Sequence, residues 1–286
     1  FSHLSHIQLL MTGGLPLAML MLHRVADGAT LRRGAALGVA LAAQALACAY
    51  YGIFAGLMVG YGALVLAATR RLWKSVAYWK AMATGAATSI AIVLPFFIPF
   101  LRVQAESGFL RTVEETGRYS ARAHGYLVSS ANAHRWLLDA VRRFGPWEEV
   151  LFPGMLAVVL GLAGLVVASR RAGRDRETAV VYGTLGLLAF WASFGPAAGL
   201  YRVLYHLPTF SFLRAPSRLG LVVVLCLAVF AAIALQRLLA AIASRRAAAG
   251  VAVVAGIAAI AELTISPLRW YQAPVVPAAY AVLAKQ

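Results

Sequence analysis

Long apolar runs separated by short basic segments make up most of the sequence. A helix that crosses about 30 Å of hydrocarbon needs about 20 mostly apolar residues, and eight runs have a suitable length. The pattern therefore predicts an all-α, polytopic transmembrane bundle of about eight helices. The predicted spans are residues 7–23, 34–50, 53–69, 81–101, 151–169, 179–196, 219–239 and 249–267.

The second and third spans come from one apolar stretch, residues 34–69. A single helix of that length would run to about 54 Å at about 1.5 Å per residue, which is too long for one crossing. We place the break at Tyr50, Tyr51 and Gly52, because paired aromatics favour the membrane interface and glycine permits a tight reversal.

The positions of the Lys and Arg residues favour one orientation of this bundle. Four short loops on one side carry 14 of the 26 basic residues. By the positive-inside rule that side is cytoplasmic, so both ends of the chain and the long loop of residues 102–150 lie outside. Apolar residues recur at helical spacing within this loop, which predicts short amphipathic helices at the membrane surface. The 14 basic residues are Arg24, Arg32, Arg33, Arg70, Arg71, Lys74, Lys80, Arg170, Arg171, Arg174, Arg176, Arg237, Arg245 and Arg246.

The composition also indicates a membrane protein, with 62% hydrophobic residues, 13% charged residues and a mean hydropathy of +0.77. The net charge of +16 does not indicate a nucleic-acid partner, because the basic residues punctuate apolar runs instead of covering a soluble fold. The two cysteines lie far apart inside apolar runs and are interpreted as small buried hydrophobes.

Both ends of the chain suggest a piece of a longer protein. The sequence begins at Phe1 rather than Met, without the basic segment of a signal peptide, and it stops at Gln286 as a more polar segment begins. We expect residues 1–268 to form the transmembrane domain. Residues 269–286 are expected to be the start of a truncated extracytoplasmic segment.

The motifs of soluble enzymes are absent from the sequence, so any chemistry is expected at the outer membrane face. His3 and His6 are three residues apart and share one face of a helix that enters the membrane. Such a pair could bind a metal or a phosphate. The alternative is a pair of polar anchors at a helix end, since two ligands alone do not make a metal site.

Three arginines lie on the side of the membrane that should be poor in arginine. Arg202 precedes the seventh span, and Arg214 and Arg218 flank Pro216 at the mouth of that span. A phosphate group at the outer leaflet would explain them, because guanidinium groups bind phosphate oxygens bidentately. The alternative is that they reach toward lipid headgroups, as long basic side chains routinely do.

Glu262 is the one acidic residue inside a predicted span, about five residues from its outer end. Ionisable residues in that setting usually face the bundle interior and indicate a functional site. Arg214, Arg218 or Arg269 could pair with it. A structural ion pair near the interface remains an equal alternative to a substrate contact.

Several short motifs lie at or near the ends of the spans. They are His3-x-x-His6-x-Gln8-Leu9-Leu10, Pro16, Tyr50-Tyr51-Gly52, Leu151-Phe152-Pro153-Gly154, Phe194-Gly195-Pro196 and Leu213-Arg214-Ala215-Pro216-Ser217-Arg218. In this order they resemble bacterial polytopic membrane proteins of the GT-C glycosyltransferase superfamily, over most of the chain.

The resemblance implies a helical bundle in the bacterial cytoplasmic membrane that takes a sugar from a polyprenyl-phosphate donor and transfers it outside the cell to an envelope glycan or protein. Its partners would be these substrates and membrane lipids. It assigns the lipid phosphate to Arg214 and Arg218, with His6 nearby. The family's carboxylate in the first outside loop, a base or metal ligand, has no counterpart here. The catalytic residues are therefore unassigned, and a divalent cation stays open.

Two other functions remain as alternatives. A transporter or lipid flippase should have its site at mid-membrane between broken helices and inverted repeats, and the sequence has no repeat and little charge within its spans. A non-catalytic scaffold of an envelope assembly complex would need none of the arginines at the outer face.

Overall fold

A computed structural model describes residues 10–107, 112–145, 149–207, 210 and 213–265. This part of the chain is helical and contains no β-strand, so the all-α prediction is confirmed. Its helices are α1 (Gly14–Asp27), α2 (Leu31–Ala47), α3 (Ala49–Thr69), α4 (Val76–Ser107), α5 (Val113–Arg118), α6 (Arg135–Val141), α7 (Met155–Ser169), α8 (Arg174–Ser193), α9 (Leu200–Leu204), α10 (Gly220–Ala240) and α11 (Arg245–Leu263).

A helix occupies each of the eight predicted spans, but fewer meet the requirements for crossing a membrane. Within the described ranges, four helical segments are long and apolar enough, namely Ala49–Thr69, Val76–Glu106, Pro216–Ala240 and Arg245–Leu263. The predicted number of about eight transmembrane helices is not confirmed. The helices α1, α2 and α7 have only 14, 17 and 15 residues, and α8 begins with a charged turn.

The predicted split of residues 34–69 is confirmed, although its position is wrong. The chain reverses at Cys48, whose extended backbone (φ −155°, ψ 107°) separates α2 from α3. Tyr50 and Gly52 lie inside α3. Gly52 serves packing instead of the turn, since a Cβ atom there would collide with Ala45 of α2.

An ion-pair cluster joins the loops at one end of the bundle. Arg70 lies 2.8 Å from Asp27 and 2.7 Å from Glu177, and Arg174 also reaches Asp27 at 3.3 Å. The Arg70 hydrogen bond holds the pKa of Asp27 below its usual value. Three of the four basic loops therefore lie at this end. An ion pair of 2.5 Å between Arg237 and Asp175 places the fourth basic loop, which follows α10, at the same end. We call it the basic end, and the opposite end, where α3 begins, the outer end; which side of a membrane each faces stays a prediction.

Glycines allow the closest helix contacts. A Cβ atom on Gly34 would collide with the backbone of Ala81, which brings α2 against α4. A Cβ atom on Gly164 of α7 would collide with the carbonyl of Phe230 in α10. Small residues at such contacts let helix backbones approach closely, as they do in membrane bundles.

The long loop forms the expected short helices, α5 and α6, together with 3-10 turns at Ala123–Leu127, Asn132–His134 and Arg142–Phe144. Trp136 and Phe144 are exposed, whereas Val141 is buried. These elements lie at the outer end, because the Ala121 amide donates to the Ser193 carbonyl at the end of α8 and the Asn132 amide donates to the Thr264 carbonyl just after α11.

Candidate site at the outer end

The segment that leads into α10 is fixed from several directions. The Tyr50 hydroxyl of α3 accepts from the Ala215 amide at 2.8 Å and donates to the Ala215 carbonyl at 2.7 Å. The buried Tyr201 hydroxyl of α9 donates to the Leu213 carbonyl at 3.2 Å. Burial raises the pKa of Tyr201 well above its usual range, so this donor keeps its proton. The segment with the two predicted arginines is therefore held in one position.

Arg218 lies against the ring of Tyr50. Its guanidinium carbon lies 4.7 Å above the ring of Tyr50, in the geometry of a cation-π contact. Its side chain is partly exposed. Among the described residues no carboxylate lies within ion-pair distance of it. The Tyr50 ring therefore positions the guanidinium of Arg218, and no described carboxylate forms an ion pair with it.

Arg214 has a different environment, although it lies on the same segment. Its Nε atom is 3.0 Å from an oxygen of Glu115, and its guanidinium carbon lies 4.1 Å above the ring of Tyr119, whose hydroxyl it also contacts. Glu115 therefore compensates the charge of Arg214. Arg202 is exposed on α9, and no described acid pairs with it.

An apolar groove shares one wall residue, Tyr50, with the Arg218 contact. It has a volume of about 520 Å³ and lies between the start of α3, the outer half of α4 and Leu213. Tyr50 belongs to the groove wall and also carries the Arg218 guanidinium on its ring. We call this the aromatic groove. Its lining residues are Ala49, Tyr50, Ile53, Phe96, Phe97, Phe100, Leu101 and Leu213.

Glu262 lies elsewhere at the outer end and does not pair with Arg214 or Arg218. Its carboxylate accepts a hydrogen bond from His134 at 2.8 Å and from the backbone amides of Met155 and Leu156. These amides open α7, so Glu262 caps that helix from α11. Gly154, at φ +101°, leaves room for the carboxylate beside the first turn.

A hydrogen-bond chain continues from Glu262 into the long loop. His134 is 4% exposed in its side chain, and its Nδ1 atom lies 2.8 Å from the Ser129 hydroxyl. The Ala131 amide donates to that same hydroxyl at 3.1 Å. The contacts of Glu262 thus match the structural alternative from the sequence, with a partner that the sequence did not indicate.

Some predicted site residues cannot be placed. His3, His6 and Arg269 lie outside the described residues. Within the described ranges, no group of three or more His, Cys, Asp or Glu side chains is arranged to hold a metal ion. The aromatic groove, Glu115 and His134 were not among the predicted site residues.

No family model, curated protein or solved structure matches this chain. The site must therefore be interpreted from its own geometry.

Proposed function

We propose that this chain is an integral membrane protein that binds a polyprenyl-phosphate sugar at its outer end and transfers the sugar to an envelope acceptor, as a member of the GT-C superfamily. The four long apolar helices support the membrane location. The short helices α1, α2 and α7, together with α8, would complete eight crossings, with the basic end in the cytoplasm.

The observation that carries the proposal is that Tyr50 both lines the aromatic groove and holds the Arg218 guanidinium on its ring. An amphiphile with a long apolar chain and a phosphate needs an apolar channel that ends at a cation. The groove supplies the apolar surface, at a volume typical of ligand pockets. Arg218, stacked on the Tyr50 ring of the groove wall, supplies the cation.

The chemistry assigned to these residues is binding and charge neutralisation. Arg218 would hold the phosphate oxygens through its free N–H donors and would stabilise the negative charge that develops on the phosphate as the sugar leaves. Tyr50 would keep the guanidinium in place. Arg214 is a weaker candidate than the sequence suggested, because a phosphate would have to compete with Glu115 for it.

Binding of polyprenyl phosphate to the full chain in lipid nanodiscs tests this proposal. Arg218→Gln should weaken binding about 10- to 100-fold, which corresponds to the loss of a charge-assisted hydrogen bond worth about 1.5–3 kcal/mol. Arg143→Gln is the matched control, since Arg143 is exposed in the outer loop and no described acid pairs with it. Equal affinity of the Arg218→Gln and Arg143→Gln proteins would refute the phosphate site.

The transfer step requires a separate measurement. Membrane vesicles that contain the chain should consume a radiolabelled polyprenyl-phosphate sugar, and Arg218→Gln should reduce this consumption. Binding without any consumption would leave a lipid-phosphate binding protein and would exclude the glycosyltransferase activity of this chain.

A further inference from the structure

A second apolar cavity lies deeper in the bundle, between α3, α8, α9 and the start of α10. Its volume is about 230 Å³. It shares no lining residue with the aromatic groove, and its lining contains no charged side chain. The one polar group on its wall, the Tyr61 hydroxyl, already donates to Thr184 at 2.6 Å.

The lining of the cavity follows α3 and α8 along their axes. Its wall extends from Phe54 to Tyr61 on α3 and from Leu185 to Ala192 on α8. Each interval of seven residues corresponds to about 10 Å of helix. An apolar lining of this length accommodates a short segment of an extended hydrocarbon chain.

The cavity has a buried wall and an open edge. Phe54, Met58 and Phe210 are 2% exposed or less. Leu188 and Leu204 are partly exposed and mark the edge between α8 and α9. In a membrane this edge would give hydrocarbon chains access from the side.

Filling this cavity with water and leaving it empty are both energetically unfavourable. A bound water needs two to four polar partners, which the lining does not offer. An empty apolar void loses the dispersion contacts of the atoms around it and destabilises the fold. We propose that this cavity, which we call the chain cavity, binds one hydrocarbon chain of a membrane lipid. The proposal rests on the membrane location in the proposed function, but not on the Arg218 site or on sugar transfer.

Photolabelling of the full chain in nanodiscs tests the proposal. One sample contains a phospholipid with a diazirine midway along one acyl chain, and the other a prenyl alcohol with a diazirine near its end. After irradiation and digestion, mass spectrometry should find label on the peptides of residues 54–61 and 185–192. Label from the first probe identifies an acyl chain and label from the second a prenyl chain, and either result supports the site. Absence of label from both probes overturns it.

A filled cavity provides the second measurement. Ala189 is 6% exposed and lines the chain cavity, so Ala189→Phe should reduce labelling of both peptides at least fivefold while labelling near Phe97 stays unchanged. Ala192→Val is a smaller replacement in case the first variant does not fold. Leu187→Phe is the matched control, because Leu187 is 65% exposed on the outside of the same helix. Equal labelling of the control and both filled variants would refute binding within the cavity.

Discussion

The carboxylate of Glu262 is expected to stabilise the fold by serving three donors at once. Glu262→Ala would leave the N–H group of the nearly buried His134 without an acceptor, at a cost of about 1–3 kcal/mol. It would also remove the cap from the amides of Met155 and Leu156, for about 1 kcal/mol more. The total is about 3 kcal/mol. For a chain of this size that loss corresponds to a decrease of about 6–12 °C in Tm.

Glu262→Gln should have an intermediate effect, because its amide oxygen still accepts from α7. Its amide nitrogen would face His134, which now donates from Nε2. That assignment follows from the Glu262 carboxylate, which can only accept, so that Nδ1 of the neutral ring accepts from the Ser129 hydroxyl. The glutamine would force the other tautomer of His134 and leave the Ser129 hydrogen unpaired.

Thermal unfolding in detergent, followed by circular dichroism, measures these effects. Glu114→Ala is the control, since Glu114 is exposed and no described basic residue pairs with it. The expected order of Tm is control, Glu262→Gln and Glu262→Ala, from highest to lowest. If Glu262→Ala lowered the Tm by less than about 2 °C, the capping role would be refuted. The alternative from the sequence, a contact between Glu262 and substrate, would then be favoured.

Two further predictions concern packing and pH. Gly164→Ala should destabilise the protein by about 1–3 kcal/mol, because the new Cβ atom would meet the Phe230 carbonyl. Gly60→Ala places its Cβ atom in open space and should be neutral or stabilising by up to about 1 kcal/mol. Equal Tm values for the two variants would contradict this prediction. Arg70 lowers the pKa of Asp27, so the stability that Asp27 contributes is complete above its ordinary pKa of about 3.9 and is lost as pH falls through the lower folded value. Asp27→Asn should therefore lower the Tm at pH 7, and its difference from the wild type should shrink as pH falls below about 3.9. A difference that stays constant over this range would argue against the ion pair.

Hydropathy was sufficient to locate the main helices because each depends on a local run of apolar residues. The reversal between α2 and α3 was placed a few residues late, since Gly52 offered the stronger local signal for a turn than Cys48. In the structure Gly52 is required by its contact with Ala45. Ala45 lies on the neighbouring helix, and a local sequence pattern does not show which residues of two helices will touch.

The candidate site was only partly predictable for the same reason. The sequence identifies Arg214 and Arg218 as candidates because they lie in a loop on the side where few basic residues are expected. Their different roles depend on partners about 100 residues or more away, Glu115 in one case and Tyr50 in the other. Glu262 was found as an isolated acid, but His134 carries no periodic or compositional signal that would connect it with α11.

The position of α3 between two sets of distant contacts has a consequence for motion. At one end of this helix Tyr50 bonds to Ala215, and just beyond the other end Arg70 bonds to Glu177. Sliding α3 lengthwise past the second half of the chain would break both attachments together. Rotation about the line that joins them would preserve both attachments but would separate Tyr61 of α3 from Thr184 of α8. These three contacts together therefore hold α3 against the second half of the chain in both directions.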